Sequence, residues 1–261
     1  MIQWSSDALE PIIAEASEAV KDAPVVHADE TGWSVGGIPH WLWVATIGPV
    51  AVFSISPGRG SADAHVLLGD REDGVTVVDR WVAYAKYGRR QLCWAHLERN
   101  TQALIEHGGE AKRIGLRIIM FIREMFSLWH RFLDGELTRR GVRQAIKSLG
   151  NRLLRYLERN ARSSSKRACT FISGLLKVRE HLFTFVEVEG VEPTNNLAEQ
   201  QIRSAVLWRR KCQGVQSARG CRFVERMLTV AVSCRAQARS VFAFFKQLFS
   251  PHLPRPSLLP T

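Results

Sequence analysis

From Val25 the chain takes on a two-residue alternation of apolar and polar positions, cut at intervals by tight-turn residues. Val25 to Trp33 is followed by Gly36-Gly37, His40 to Thr46 by Gly48-Pro49, and Val50 to Ser56 by Pro57-Gly58-Arg59-Gly60. Runs rich in Val, Ile, Trp and Thr, joined by two-residue turns, form antiparallel hairpins, so three strands in a meander are expected. Ser61 is placed to cap a short helix through Leu68, and a polar turn from Gly69 to Gly74 leads into the apolar strand Val75 to Val78. A strand, helix, strand crossover returns parallel in the same sheet, which sets Val75–Val78 beside the first strand. Gln91 to Trp94 reads as a further short strand, with a helix from about His96. The order β-β-β-α-β-α-β-α predicts an α/β fold, a mixed sheet with helices on its faces.

The remainder is helical. Leu9, Ile12, Ile13, Ala16 and Val20 recur at helical spacing ahead of Pro24, predicting a lead-in helix within residues 1–24. One apolar stripe runs through Ile114, Ile118, Ile119, Ile122, Phe126 and Trp129, and a second through Val142, Ile146, Leu149, Leu153 and Leu157. Gly135 to Thr138 breaks the two, and Ser163 to Lys166 reads as an exposed connector. The expected organisation is a first core segment at 25–107, an all-helical insertion at 108–190, helices completing the core at 191–250, and a proline-rich, loosely ordered tail at 251–261. The apolar run from Met227 to Phe249 carries Arg235, Arg239 and Lys246, which makes it an amphipathic helix and not a membrane span.

Charge narrows the class of partner. Lys and Arg number 36 against 25 Asp and Glu, a net +11 on 261 residues, and a polyanion is the economical counterpart of so basic a surface. The five cysteines are scattered and never spaced Cys-x-x-Cys, which excludes a disulfide framework and a zinc ribbon. No basic region followed by an apolar stretch opens the chain, so a cytoplasmic location is expected.

On this basic chain three acids stand out: Asp29 and Asp79 in contexts that read as strand ends, and Glu199 at a helix start. Carboxylates from neighbouring strands and a helix packed across them can hold a pair of divalent cations, and hard oxygen donors select magnesium or manganese. Each acid also has an ordinary reading. Asp29 is compatible with a solvated position, Asp79 before Arg80 with an ion pair, and Glu199, three residues after Asn196, with a capping-box partner. Cys93 and His96 are spaced like half a zinc site, but a packed cysteine and a structural or DNA-facing histidine fit better, with His96 a supporting residue to the acids. His27 lies two residues before Asp29, on the same strand face. Arg203, one helical turn after Glu199, faces either a scissile phosphate or the glutamate itself. Arg209, Arg210, Lys211, Arg219 and Arg222 follow in a stretch with few acids, suited to backbone phosphates. Asn195 and Asn196 are placed to cap the helix or to touch DNA, capping being the simpler reading.

The ordered set of motifs resembles the DDE transposases of the insertion-sequence 66 group. It comprises His27-Ala28-Asp29-Glu30-Thr31, then Val78-Asp79 with Tyr84, then Cys93-Trp94-Ala95-His96 with Arg99, then Thr194-Asn195-Asn196-Leu197-Ala198-Glu199 with Ile202-Arg203. Arg209-Arg210-Lys211 and Ser217-Ala218-Arg219-Gly220 continue it, over about Val25 to Phe249. Arg80 and Trp81 stand where members usually show a small residue and then an aromatic.

The resemblance implies an RNase H-like core interrupted by a long helical insertion before the last acid, with Asp29, Asp79 and Glu199 as the catalytic, metal-binding triad. It implies Mg2+ or Mn2+ as cofactor, and DNA, as element ends and target, as partner. A homo-oligomer and accessory proteins of the same element are expected by the same analogy, and the sequence itself leads to an expectation of no membrane association. Members carry an upstream helical region and a zinc-binding segment, so this chain is expected to be the catalytic part. Two alternatives share the sequence: a catalytically silent or truncated DNA-binding remnant, and a structure-selective nuclease on the same fold.

Overall fold

The structure is a computed structural model that describes residues 6–71 and 73–260. Residues 1–5 of the lead-in segment, Glu72 of the turn and Thr261 of the tail lie outside the described residues. The chain divides into two compact units, one of residues 1–89 with 195–261 and one of residues 90–194.

In the first unit, helix α1 (Glu10–Asp22) precedes strands β1 (Val25–Val35), β2 (Ile38–Ile47) and β3 (Val50–Ser56). Helix α2 (Ser61–Leu68) and strand β4 (Val75–Val78) follow. Gly36 and Gly37 take φ of 56° and 80°, the left-handed pair that a type I′ hairpin requires, and the turn closes on Val35 opposite Ile38. β1 and β2 are antiparallel, as are β2 and β3, whereas β4 lies parallel to β1, giving the order β3-β2-β1-β4. The parallel return expected of the crossover is therefore present. This mixed sheet flanked by helices is compatible with an RNase H-like fold.

One sheet face buries Trp33, Leu42, Val44, Ala51 and Phe53 against the last long helices of the same unit. These are α8 (Asn196–Cys212), contributing Ala198, Ile202 and Ala205, and α9 (Ala218–Ala236), contributing Val224, Leu228 and Val232. β3 is an edge strand of this unit's sheet, and α9 satisfies its outward amides. The N–H groups of Ala51, Phe53 and Ile55 donate to Ser233 Oγ at 3.0 Å, Thr229 Oγ1 at 3.1 Å and Glu225 Oε1 at 2.6 Å. The match is geometric. Four residues of helix rise about 6 Å, close to two residues of strand, so polar side chains every fourth residue meet amides every second one.

The second unit opens with β5 (Arg90–Leu92) and holds α3 (Trp94–His107), α4 (Gly109–Leu133), α5 (Arg139–Asn160), α6 (Lys166–Lys177) and the short α7 (Thr184–Glu187). Both predicted apolar stripes are buried along α4 and α5, except for Phe126, which is half-buried. Gly115 sits where a Cβ would meet Ile105, so α3 and α4 approach closely. The buried Gln91 carboxamide donates to the carbonyls of Leu92 (2.7 Å) and Leu182 (3.2 Å) and accepts from Phe185 N–H (2.9 Å), fixing the chain after α6.

Several expectations are corrected. Gly60, not Ser61, occupies the N-cap of α2, and the Asp63 carboxylate accepts from the N–H groups of Gly58 (3.3 Å) and Gly60 (2.9 Å). An ionised oxygen in the first turn is the stronger acceptor and suits the helix dipole. A 3-10 turn at Val82–Lys86 stands where a helix was expected after β4, and α3 starts at Trp94, two residues earlier than predicted. Met227 to Phe249 is not one helix. α9 ends at Ala236, the chain turns through the left-handed Ala238 at φ 54° with Arg239 N–H returning to the Cys234 carbonyl at 2.8 Å, and α10 (Val241–Leu248) restarts under a Ser240 cap. The tail is fastened: Leu258 is fully buried, its carbonyl accepts from Gln237 Nε2 at 2.7 Å, and Arg239 Nη1 donates to the Ser257 carbonyl at 2.7 Å. Among the described residues no helix is long and apolar enough to cross a membrane.

Candidate active site

β1 and β4 pair through Val25↔Val75, Val26↔Thr76 and His27↔Val77. Continuing that offset two residues sets Asp29 level with Asp79, the first residue beyond β4. Asp79 is thus at a strand end as predicted, but Asp29 is not. β1 runs on to Val35 in its hairpin with β2, so Asp29 lies mid-strand at the point where its parallel neighbour stops.

Glu199 stands in the first turns of α8, and the placement of that helix is set by Asn195. Its Nδ2 donates to the Ala28 carbonyl at 2.7 Å, and its Oδ1 lies 3.2 Å from His27 Nδ1. The carboxamide therefore makes no side-chain cap, contrary to expectation, and pins the helix start to β1 beside Asp29. Because Asn195 is at the N-cap and α8 starts at Asn196, Glu199 is not the third helical residue that a capping box uses. His27 is buried, and that burial, opposed by its bond to Asn195, brings its pKa down from 6.5 to about 4. The imidazole is neutral at physiological pH and serves as a strut.

The electrostatics of Asp29 report the convergence. Burial and then the neighbouring Glu30 carboxylate raise its pKa from 3.8 to about 7, and both Asp79 and Glu199 add to the rise. The Glu30 backbone N–H, donating to Asp29 Oδ1 at 2.9 Å, opposes it. Three carboxylates from β1, the end of β4 and α8 thus share one field. All three are oxygen donors, the ligand chemistry of a hard divalent cation.

A second set of residues was not found as a group in the sequence. Glu30 alternates to the opposite sheet face from Asp29, and its side chain is 1% exposed. The Arg59 guanidinium forks onto its Oε1, through Nε at 2.8 Å and Nη2 at 2.6 Å, and Tyr84 Oη donates to its Oε2. Arg59 is also sandwiched between the rings of Trp81 (3.8 Å) and Trp41 (4.4 Å). The available signal was strand alternation: an acid adjacent to an inward Asp must face the other side, and a buried acid there needs a cation.

The remaining predicted residues are distributed as follows. Arg203, Arg210, Lys211, Arg219 and Arg222 are exposed along α8 and the start of α9. Arg219 and Arg222 line a pocket with Ser217 and Phe223. Arg209 is instead tied to β1, donating to Thr31 Oγ1 at 3.1 Å and to the Gly32 carbonyl. Cys93 is buried at the N-cap of α3 and His96 lies in its first turn, both in the second unit.

Comparison with protein-family models matches residues 1–222 to the model described as Transposase IS66 family. No curated protein matches the chain.

Proposed function

We propose that this chain, which belongs to the IS66 family of transposases, cuts DNA at the ends of a transposable element and joins the freed strand to a target, using Asp29, Asp79 and Glu199. Membership of the family implies DNA as the partner, and the exposed basic residues of α8 and α9 supply a surface for it. The observation that carries the catalytic reading is geometric: the β1–β4 register sets Asp29 level with Asp79, and Asn195 fastens the head of the helix bearing Glu199 to β1 beside Asp29. Asp79 and Glu199 each add to the rise of Asp29, a repulsion that a divalent cation would relieve.

Magnesium or manganese bound by these carboxylates would supply charge neutralisation at the attacking and leaving oxygens of the phosphodiester. The chain's own residues hold and orient. Asp29 is fixed by the β1 ladder and by the Glu30 N–H, and Glu199 by the Asn195 anchor at the head of its helix. His27, neutral and buried, keeps Asn195 in place. Arg203, Arg210 and Lys211 neutralise DNA phosphates flanking the cut. Water is the nucleophile for cleavage and the released 3′ hydroxyl the nucleophile for joining, so no protein side chain is acylated or phosphorylated on this route.

The test is calorimetric titration of Mg2+ and Mn2+ with branched DNA present, in wild type and in Asp29→Asn, Asp79→Asn and Glu199→Gln, followed by strand-transfer assays. Loss of binding in all three variants is expected. Equal binding in all four proteins would sink the triad and leave a DNA-binding remnant as the better account. Cleavage without joining would favour a nuclease.

A further inference from the structure

Asp79 is the least supported of the three acids by regular structure. β4 ends at Val78, and the β1–β4 rungs end at His27↔Val77, so no ladder bond fixes its backbone or carboxylate. The support comes from the residues beside it. The Trp81 backbone N–H donates to Asp79 Oδ1 at 2.6 Å, a local turn that sets the carboxylate's rotation. The Trp81 indole N–H donates to the Arg59 carbonyl at 2.9 Å, and its ring stacks on the Arg59 guanidinium at 3.8 Å. Arg59 in turn is forked onto Glu30, the residue next to Asp29. A path therefore runs from Asp29 through Glu30, Arg59 and Trp81 to Asp79, joining β1, the loop after β3 and the loop after β4.

We propose that Trp81 and Arg59 are positioning residues that hold the Asp79 carboxylate level with Asp29 for cation binding. The inference rests on the reading of Asp79 as a ligand. Arg is suited to the role where Lys is not, because a planar fork both pairs with one carboxylate oxygen through two N–H groups and stacks between two rings. Trp is suited where Phe is not, because only the indole combines the ring face with a donor for the loop carbonyl. Tyr84, donating to the remaining oxygen of Glu30, closes the network from the 3-10 turn that Trp81 itself leads into.

The experiment compares wild type, Trp81→Phe, Arg59→Lys and Asp79→Asn by calorimetric titration of Mn2+ without DNA, thermal melting, DNA affinity, and single-turnover cleavage across Mn2+ concentrations. Trp81→Phe keeps a stacked ring and loses one donor, so Mn2+ should bind about fivefold more weakly, the scale of one net hydrogen bond. Its melting and DNA affinity should stay near wild type, and its cleavage should recover at saturating Mn2+. Arg59→Lys should lose more affinity, and if that variant unfolds, Trp81→Phe still decides. Mn2+ affinity unchanged in Trp81→Phe while Asp79→Asn abolishes it would overturn the inference and leave the network a purely structural one. Unchanged affinity in Asp79→Asn would instead overturn the triad, and the positioning role with it.

Discussion

Asn195 Nδ2 donates to the Ala28 carbonyl at 2.7 Å, a bond across 167 residues that joins the head of α8 to β1 one residue before Asp29. It supplies a donor to β1 just past the end of the β1–β4 ladder. The same carboxamide meets His27, so one fully buried side chain sets both the strand and the helix that carry two of the three acids.

Asn195→Ala removes that donor and leaves a buried carbonyl without it, which should destabilise the fold by about 1–3 kcal/mol in urea denaturation. It should also weaken Mn2+ binding, because Glu199 lies one turn along the released helix. Stability lost with Mn2+ affinity intact would show that α8 is held in place by packing alone.

His27 and Asp29 impose opposite pH dependences. The His27 imidazole is neutral in the fold down to about 4 and charged in the unfolded chain below 6.5, so its burial makes stability fall as pH drops from 6.5 toward 4. Asp29 keeps its proton in the fold up to about 7 and loses it in the unfolded chain above 3.8, so stability falls as pH rises through that window. Asp29→Asn removes the second effect. In EDTA, its unfolding free energy should rise by on the order of 3 kcal/mol between pH 4 and 6.5, and above pH 7 it should exceed that of wild type. Parallel pH curves for the two proteins would contradict this.

Thr229→Val preserves shape on α9 and deletes the acceptor of the Phe53 amide. Both groups are buried, so a loss of about 1–3 kcal/mol is expected by chemical denaturation, with faster hydrogen exchange at β3. An unprotected Phe53 amide in wild type would mean that α9 does not cover the strand edge.

Gly214 has a φ of 107°, and a Cβ there would run into the Ser34 carbonyl. Gly214→Ala should therefore break the short bridge of Val35 to Val215, together with the Gly36 N–H bond to the Val215 carbonyl at 2.7 Å. The expected readout is a lower melting temperature accompanied by weaker DNA binding, since the displaced segment lies between Lys211 and Arg219. Wild-type melting would show that the loop relaxes freely.

Arg210→Gln with Lys211→Gln removes two exposed cations from the end of α8. If both contact phosphates, the slope of log affinity against log salt should fall by about two, with no change in sequence preference. An unchanged slope would place the DNA elsewhere.

The strands, their turns and the parallel return of β4 were legible because they follow from local rules: alternation, left-handed glycines and the parallel return of a strand, helix, strand connection. The two stripes of the helical unit were legible for the same reason, since α4 and α5 bury what their periodicity marks. The ordered motifs around Asp29, Asp79 and Glu199 identified the family before any geometry. Some failures were local, as where Asp63 rather than Ser61 serves the start of α2; in others the competing partner was distant in sequence. Asn195 left its cap for Ala28, Arg209 turned to Gly32, and the tail was fastened by Gln237 and Arg239.

Sequence by itself determined which segments pair and which residue types are present to bind a hard cation and a polyanion, because both depend on near neighbours and composition. Tertiary structure alone decided that Asp29 sits mid-strand, that Asp79 is braced through Trp81 and Arg59 from the far sheet face, and that polar residues of α9 close the β3 edge. Those arrangements depend on burial. A carboxylate or amide removed from water must find a partner wherever the fold brings one, and no local pattern records which residue that is.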